Sequence, residues 1–506
     1  MPLLQDLLDD NIQTYGEYPF LYFGEKEYSN IETKRHAGQI AAGLKNLGIQ
    51  EGDRVIVCMP NCPEVLFSYQ GITRARAVIV PVMHLLHHHE IEFIIKNSNA
   101  KAIITSSASL QKIKEATNGL VHKPSVISTD SLEDASVIQM KDWFNEKENE
   151  ETNSLLKASV NEPAVILYTS GTTGKPKGVI LTHQNLYSNA ASSASVNKES
   201  LKTTLGVLPL AHVFGLTVSN ICYLKGSSIV IFSKFDVEEV FSAIEKYKVR
   251  TFSVVPAMVY AMYHYPHADR YDLSSLDKLT SGSAPLPLAL SVKFKKKFQA
   301  DVTEGYGLSE AAPIVTSSYD GIPHKPGSAG LPIPGVDIKI VDIEGNELAP
   351  NEVGELIVQG ENVTPGYFLN EEETNKVLKG GWLYTGDLAK VDDDGYVYLV
   401  DRKKDLIIRG GFNIYPRDIE ELIVNHPSVL EAAVIGVPDE RMGEEVVAFI
   451  VRKPGAEVSE EEMIQHCQSF LAKNKSPKEV VFVDALPRNG VGKILKTVLR
   501  EMAVNR

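Results

Sequence analysis

Residues Tyr168 to Val179 read "YTSGTTGKPKGV". Thr169, Ser170, Thr172 and Thr173 offer hydroxyls, and Lys175 and Lys177 bring positive charge. Gly171, Gly174 and Gly178 let backbone N–H groups converge on an anion. The apolar run "PAVILYTS" leads straight into this stretch and reads as a buried strand. A plain surface turn does not follow a buried strand with this composition, so the loop reads as a phosphate cradle. It is not a P-loop. That motif needs G-x-x-x-x-G-K-[S/T], whereas Gly171 and Gly174 are three apart and Lys175 precedes Pro176. No G-x-G-x-x-G follows a strand either.

Outward from the loop, apolar and amphipathic segments alternate. Leu3, Leu4, Leu7, Leu8 and Ile12 mark a helical stripe, and "FLYFGEKEYS" reads as a hairpin turning at Gly24. A helix from about Ile31 to Leu47 stops at Gly48. "RVIVCMP", "AVIVPV" and "KAIITS" are short buried strands with helices between them. This alternation implies parallel sheets with helices on both faces. Lys141 to Asn161 is polar and acidic and reads as a loop or linker. From Gly321 the chain turns rich in Gly and Pro with short alternating strands, the texture of a small barrel or distorted sheet. Beyond "DRKKD" (Asp401–Asp405) a compact α+β unit of about a hundred residues follows.

The expected architecture is therefore α/β. Residues 1–401 form a large N-terminal domain, with two doubly wound α/β subdomains over about 1–320 and a β-rich, barrel-like subdomain over about 321–400. Residues 402–506 form a small α+β C-terminal domain. A chain of 506 residues with 43% hydrophobic and 23% charged residues has ample material for such cores. The net charge of −14 disfavours nucleic acid as a partner. Residues 402–506 are electrically balanced, with 16 bases and 16 acids, so the acidic excess lies on the first 401. Cys58, Cys62, Cys222 and Cys467 are too few and scattered for a disulfide framework or zinc site, and read as buried thiols of a reducing, cytoplasmic compartment. No apolar run approaches the ~20 residues of a membrane span. Peripheral membrane contact stays open, as does oligomeric state, with a homodimer among the options.

"YTSGTTGKPKGV" resembles the signature of the adenylate-forming enzymes: acyl-CoA synthetases, luciferases and peptide-synthetase adenylation domains. "EGYGLSE" (Glu304–Glu310), "YTGDLA" (Tyr384–Ala389), "DRKKDLIIRGG" (Asp401–Gly411) and "PRNGVGKILK" (Pro487–Lys496) follow in that family's order. The resemblance covers nearly the whole chain and is strongest to bacterial long-chain fatty-acid–CoA ligases. It implies a two-step reaction. A carboxylate attacks the α-phosphorus of ATP and expels pyrophosphate; a thiol, coenzyme A, then displaces AMP from the acyl-adenylate.

By the same resemblance, residues 169–178 hold the phosphates that leave. Glu310 is the ligand of Mg²⁺, with Thr169 beside it, since the ion needs hard oxygen donors. Tyr306 packs on adenine between Gly305 and Gly307, in an ATP/AMP site that also takes in Ser283, Ala284, Glu304 and Ser309. Asp387 accepts from the ribose hydroxyls and Arg402 adds a ribose or phosphate contact. Lys493 bridges the substrate carboxylate and the α-phosphate. Lys404 aligns with the pivot about which the mobile C-terminal domain turns between steps, and Gly410 and Gly411 leave room for the pantetheine arm of coenzyme A.

"LPLAHVFGLT" (Leu208–Thr217) occupies the acid-side motif. No acid follows Phe214 to pair with an amino acid's ammonium, and a buried unpaired ammonium is costly. His212, Val213, Phe214, Gly215 and Ala311 outline an apolar acyl pocket, with His212 as gate. The expected substrate is a medium- or long-chain fatty acid. The alternatives are an aryl or other acid for the same acceptor, or loading of an acyl-carrier protein. A kinase-like ATPase would release ADP instead of AMP; a non-catalytic binder would not need Lys493, Glu310 and Asp387 together. "VPVMHLLHHHEIEFII" departs from the family's pattern. His84 and His88 stand at i,i+4 and could share a helix face as metal ligands do, but no third ligand is visible nearby in the sequence, and a solvated helix start is the reading.

Overall fold

The computed structural model describes residues 2–144, 159–169, 176–196, 202–488 and 494–504. The chain divides into two compact units, residues 1–338 with 358–383, and residues 339–357 with 384–506.

In the first unit, short Val- and Ile-rich runs build a seven-stranded sheet. Its order is Ile138–Gln139, Ser125–Ser128, Ala102–Thr105, Arg54–Cys58, Val78–Pro81, Pro163–Thr169 and Lys177–Thr182. The central strands Arg54–Cys58, Val78–Pro81 and Ala102–Thr105 are parallel and buried on both faces, as their unbroken apolar sequence requires. Lys177–Thr182 runs antiparallel to Pro163–Thr169 at the sheet edge, with Thr169 opposite Lys177. Alternation of strands and helices did not foreshadow that reversal. The N-terminal hairpin Pro19–Phe23/Lys26–Ser29, turning at Gly24 (φ 58°), joins strands Thr203–Gly206 and Ser228–Ile231 in a second sheet. Helix Asn30–Asn46 begins with a capping box between Ser29 and Glu32. Where a loop over Lys141–Asn161 was expected, residues up to Phe144 continue the helix Met140–Phe144; Trp143 is buried there against Gly43, whose absent side chain makes room for the indole. Residues 145–158 lie outside the described residues, and 159–161 form a turn, as expected of a loop.

Strands Thr251–Val254, Lys278–Ser281 and Asp301–Glu304 form a parallel sheet in which Val254, Ser281 and Glu304 are in register. Their C-terminal ends therefore coincide along one edge, where ligands of open α/β sheets gather. Between residues 321 and 402 lie strands Leu331–Pro332, Val336–Val341, Gly354–Gly360, Leu378–Lys379, Trp382–Val391 and Val397–Arg402; most are short, but Trp382–Val391 runs for 10 residues where short strands were expected. The division between the units falls within three of them.

Residues 402–506, which share the second unit with 339–357 and 384–401, carry the α+β arrangement read from their sequence. Val429–Asp439 and Gly443–Arg452 form a long antiparallel hairpin, extended by Ile407–Arg409, Phe412–Ile414 and the parallel strand Glu479–Phe482. Helices Pro416–Val424 and Glu460–Phe470 contribute Ile419, Ile423, Met463 and Cys467 to its core. All four cysteines are free thiols. No helix among the described residues is long and apolar enough to cross a membrane.

One buried histidine ties the fold to pH. His183 is 7% exposed, and its Nδ1 accepts the Leu4 N–H at 3.2 Å. Burial pushes its pKa down to about 4. Unfolded, it would titrate near 6.5, so between those values the unfolded chain binds the extra proton. Stability is complete above about pH 6.5 and falls as pH drops toward 4, by roughly 3 kcal/mol from this residue. Denaturant unfolding at pH 7 and pH 4.5 should show a smaller pH-dependent loss in His183→Gln than in the parent chain.

Candidate functional site

In the first unit, the residues of "EGYGLSE" lie in and beside one turn. The strand Asp301–Glu304 continues as "GYG", passes through the short 3-10 helix Ser309–Ala311, and returns as strand Ile314–Ser317. Gly307 is needed there because a Cβ would lie 2.2 Å from the Pro313 carbonyl oxygen. Gly307→Ala is thus expected to cost about 1–3 kcal/mol by overpacking and to cut adenylation, both measurable by denaturant unfolding and pyrophosphate exchange. Tyr306 is 8% exposed, and its N–H donates to Thr316 Oγ1 at 3.2 Å. Gly305 faces the Thr316 carbonyl, where a Cβ would be 3.1 Å away. Glu304 accepts the Leu286 N–H at 3.0 Å. That contact fastens the neighbouring loop, in which Ser283 (φ 68°) and Ala284 are exposed.

Glu310 is half-buried. Tyr367 donates its hydroxyl to Glu310 Oε1 at 2.8 Å, and Thr364 N–H donates to the Glu310 carbonyl at 2.8 Å. Burial, then the neighbouring Glu310 charge, holds the Tyr367 phenol well above its ordinary pKa, so it stays a donor. Lys177 lies over the Tyr367 ring, 5.4 Å from its centroid, and is ion-paired to Glu373. The hydrogen bond from Lys177 keeps the Glu373 carboxyl below the usual range. Lys177 is therefore occupied within the protein as the Glu373–Lys177–Tyr367–Glu310 chain runs toward the motif acid. Tyr367 and Glu373 lay outside the motif reading; 57 and 196 residues separate the paired members, and nothing local marks such pairs.

The turn itself is clamped. Asn189, fully buried, donates to the carbonyls of Ala311 (3.2 Å) and Ile314 (2.7 Å) and accepts the Ile314 N–H. Asn362 donates to the same Ala311 carbonyl at 2.8 Å. Thr217 donates its hydroxyl to the Ala312 carbonyl at 3.2 Å, which fastens helix Val213–Lys225 to the turn.

That helix starts at His212, whose Nδ1 accepts the Phe214 N–H at 3.3 Å. Burial pushes the His212 pKa down to about 4, so the imidazole is neutral at physiological pH. Gly215 lets the first turn press on the Pro209 carbonyl, and Val213 and Ala311 are buried. Phe214 covers Gly282, where a Cβ would be 3.1 Å from its ring. Helix Val213–Lys225 thus meets the loop at Gly282 and the turn at Ala312. Its first turn carries no acid. Near the end of strand Pro163–Thr169, the Tyr168 hydroxyl donates to Asn97 Oδ1 at 2.6 Å, and Thr169 is half-buried. Ser170, Gly171, Thr172, Thr173, Gly174, Lys175 and Lys493 lie outside the described residues.

In the second unit, Asp387 and Arg402 face each other across paired strands, with Arg402 Nε 3.4 Å from Asp387 Oδ1. The Asp387 N–H donates to Thr385 Oγ1 at 3.1 Å. Lys404 is exposed in the 3-10 helix Lys403–Asp405; Lys403 pairs with Glu355 at 2.8 Å and Asp405 with Arg500 at 2.7 Å. Gly410 (φ 59°) and Gly411 (φ 82°) form the turn of a hairpin flanked by exposed Ile408 and Phe412.

Residues 8–368 match the AMP-binding enzyme family, and residues 418–493 match the AMP-binding enzyme C-terminal domain. The long-chain-fatty-acid–CoA ligase of Bacillus subtilis is 38% identical over 98% of this chain and 94% of its own. The 4-coumarate:CoA ligase 1 of Petunia hybrida is 34% identical over 97% of this chain and 92% of its own. Among solved structures, ATP-bound MatB from Rhodopseudomonas palustris superposes with a TM-score of 0.90 at 30% identity, covering 98% of each chain. The anthranilate CoA ligase AuaEII in complex with anthranoyl-AMP gives a TM-score of 0.91 at 28% identity, covering all of this chain and 98% of that one. The chain belongs to the AMP-binding enzyme family and is an acid–thiol ligase that uses ATP to activate a carboxylic acid as its adenylate before transfer to coenzyme A.

Proposed function

We propose that the acid is a medium- or long-chain fatty acid. The observation that carries this reading is the start of helix Val213–Lys225: a neutral His212, the apolar Val213 and Phe214, the small Gly215 and no acid in the first turn. Such a wall offers an alkyl chain dispersion contacts and leaves an ammonium or second carboxylate unpaired. The B. subtilis relative named for long-chain fatty acids supports it. An aryl acid is the competing reading, since a 4-coumarate ligase is 34% identical.

In the proposed reaction, the main-chain and hydroxyl donors of residues 169–178 take the two phosphates that leave. Tyr306 and the loop at Ser283–Ala284 seat the adenine, Asp387 and Arg402 the ribose. Glu310 presents a carboxylate with Oε1 already fixed by Tyr367. With the Thr169 hydroxyl it supplies the hard oxygen donors that suit Mg²⁺, which when bound would neutralise charge between the phosphates. His212, neutral, can lie against the substrate carboxylate without trapping it as an ion pair. Lys493 draws that carboxylate and the α-phosphate together. Coenzyme A as acceptor, in preference to a carrier protein, agrees with the relatives' names.

AMP release over saturated acids of increasing chain length and 4-coumarate, with and without coenzyme A, tests the reading. It predicts a preference of at least tenfold in kcat/KM for acids of eight or more carbons (on the order of 1.4 kcal/mol, the burial of about two methylenes). A preference for 4-coumarate would overturn it.

The hinge assignment has its own test. A prolyl ring fixes φ, so Lys404→Pro should hinder a domain rotation while leaving the nucleotide residues in place. The expected result is near-parental pyrophosphate exchange with thioester formation reduced by about tenfold or more. Equal loss in both half-reactions would remove Lys404 as the pivot.

A further inference from the structure

The histidine-rich segment after strand Val78–Pro81 has no part in the reaction above. Its geometry differs from the i,i+4 pairing that the sequence suggested. His84 sits in a turn before the helix, its carbonyl accepting from Lys112 Nζ at 2.6 Å, and helix His88–Ser98 starts four residues later. His84 and His88 therefore do not share a helical face. The cluster is formed instead by three consecutive residues. His87 is the helix N-cap, with its backbone N–H bound by Glu90 at 2.8 Å, so its side chain leaves the helical path and turns back over the first turn. The rings of His87, His88 and His89 have centroids 3.9–5.2 Å apart, and one nitrogen from each lies within 4.8 Å of the others.

We infer that His87, His88 and His89 form a binding site for one transition-metal cation of the zinc, nickel or copper class. Neutral imidazoles are the preferred donors of these ions, and three of them suffice with water in the fourth position. Nitrogens bound to one zinc are about 3.4 Å apart, given Zn–N bonds of about 2.0–2.1 Å. Closing from 4.8 Å to that spacing calls for side-chain adjustment, for which the exposed His87 and His89 have solvent on one side. Two carboxylates complete the arrangement. Glu115 lies 3.7 Å from His88 Nδ1 and Glu92 lies 3.8 Å from His89 Nδ1. A carboxylate beside Nδ1 favours the Nδ1–H tautomer and leaves the Nε2 lone pair for the metal. The partial positive charge at the helix start opposes a cation. Glu90, Glu92 and Glu115 offset it.

Metal here would brace the start of a helix whose buried face, Ile91, Ile94 and Ile95, packs in one core with Tyr168. Asn97, near the far end of the same helix, accepts the Tyr168 hydroxyl at 2.6 Å, so the helix that the metal would brace is tied to strand Pro163–Thr169. The site stabilises that corner of the sheet without touching substrate.

The test uses the full chain, freed of metal by chelator and titrated with Zn²⁺ in Mg²⁺-containing buffer by calorimetry. The expected result is one Zn²⁺ equivalent that is lost in His88→Ala and in the double variant His87→Ala/His89→Ala. Zinc should raise the thermal midpoint of the parent and not of the variants, while AMP release without zinc is the same in all three. Normal AMP release shows that the variants are folded. The proposal is overturned if the parent binds no zinc, or if the variants bind as many equivalents as the parent.

Discussion

Replacing Lys493 with alanine is expected to slow adenylation by about 10²–10³-fold while leaving thioester formation from supplied acyl-adenylate near the parental rate. The magnitude is that of removing one preorganised charge donor from a developing oxyanion. Adenylation brings a carboxylate to a polyanion, so the cation that bridges them lowers both the cost of approach and the charge at the pentavalent phosphorus. In the second step a neutral thioester forms and AMP leaves; the same cation is not required at the α-phosphorus in that way. Rapid-quench measurement of the two half-reactions separates these cases. Equal loss in both would show Lys493 to be structural. Lys493→Met, which keeps the length of the side chain and removes its charge, serves as a control for bulk.

Glu310→Gln is expected to lower pyrophosphate exchange by about 10²-fold or more. Glutamine keeps an oxygen for the Tyr367 hydroxyl and removes the negative charge that a divalent cation needs. Tyr367→Phe should act more mildly, by about tenfold, because it frees the carboxylate without discharging it; a hydrogen bond to a charged group contributes about 1.5–3 kcal/mol. The two variants differ in their response to Mg²⁺. Raising its concentration should restore much of the rate in Tyr367→Phe and little in Glu310→Gln. Full activity of Glu310→Gln at ordinary Mg²⁺ would overturn the assignment.

Much of this molecule was legible in its sequence, for identifiable reasons. Strands such as Arg54–Cys58 and Ala102–Thr105 announce themselves as apolar runs, and Gly24 and Gly48 mark turns by needing positive φ. The motif order placed Glu310, Tyr306 and His212 on neighbouring elements of one unit. What stayed hidden is pairwise or directional. Alternation gives a strand's faces but not its direction, so the antiparallel Lys177–Thr182 was missed. Polar residues at the end of a helix look like a loop, which hid Met140–Phe144. The contacts of Tyr367 with Glu310 and of Lys177 with Glu373 depend on side chains far apart in the chain. The three histidines required a cap geometry that spacing alone does not disclose: a one-residue departure from the helical path brings together side chains that a continuous helix would fan apart.

The carboxamides of Asn189 and Asn362 converge on one carbonyl, that of Ala311, and Thr217 reaches the next. Specificity engineering therefore has a boundary condition. On the proposed reading the acid-facing side of helix Val213–Lys225 would be varied at the half-buried Phe214, since Val213 is sealed in the core, but the helix also carries the bolt that holds the turn at Ala311–Ala312. A swap of this helix from another ligase that omits a hydroxyl at position 217 would alter turnover and substrate choice together, and a library built on this scaffold should treat Asn189, Thr217 and Asn362 as part of the frame.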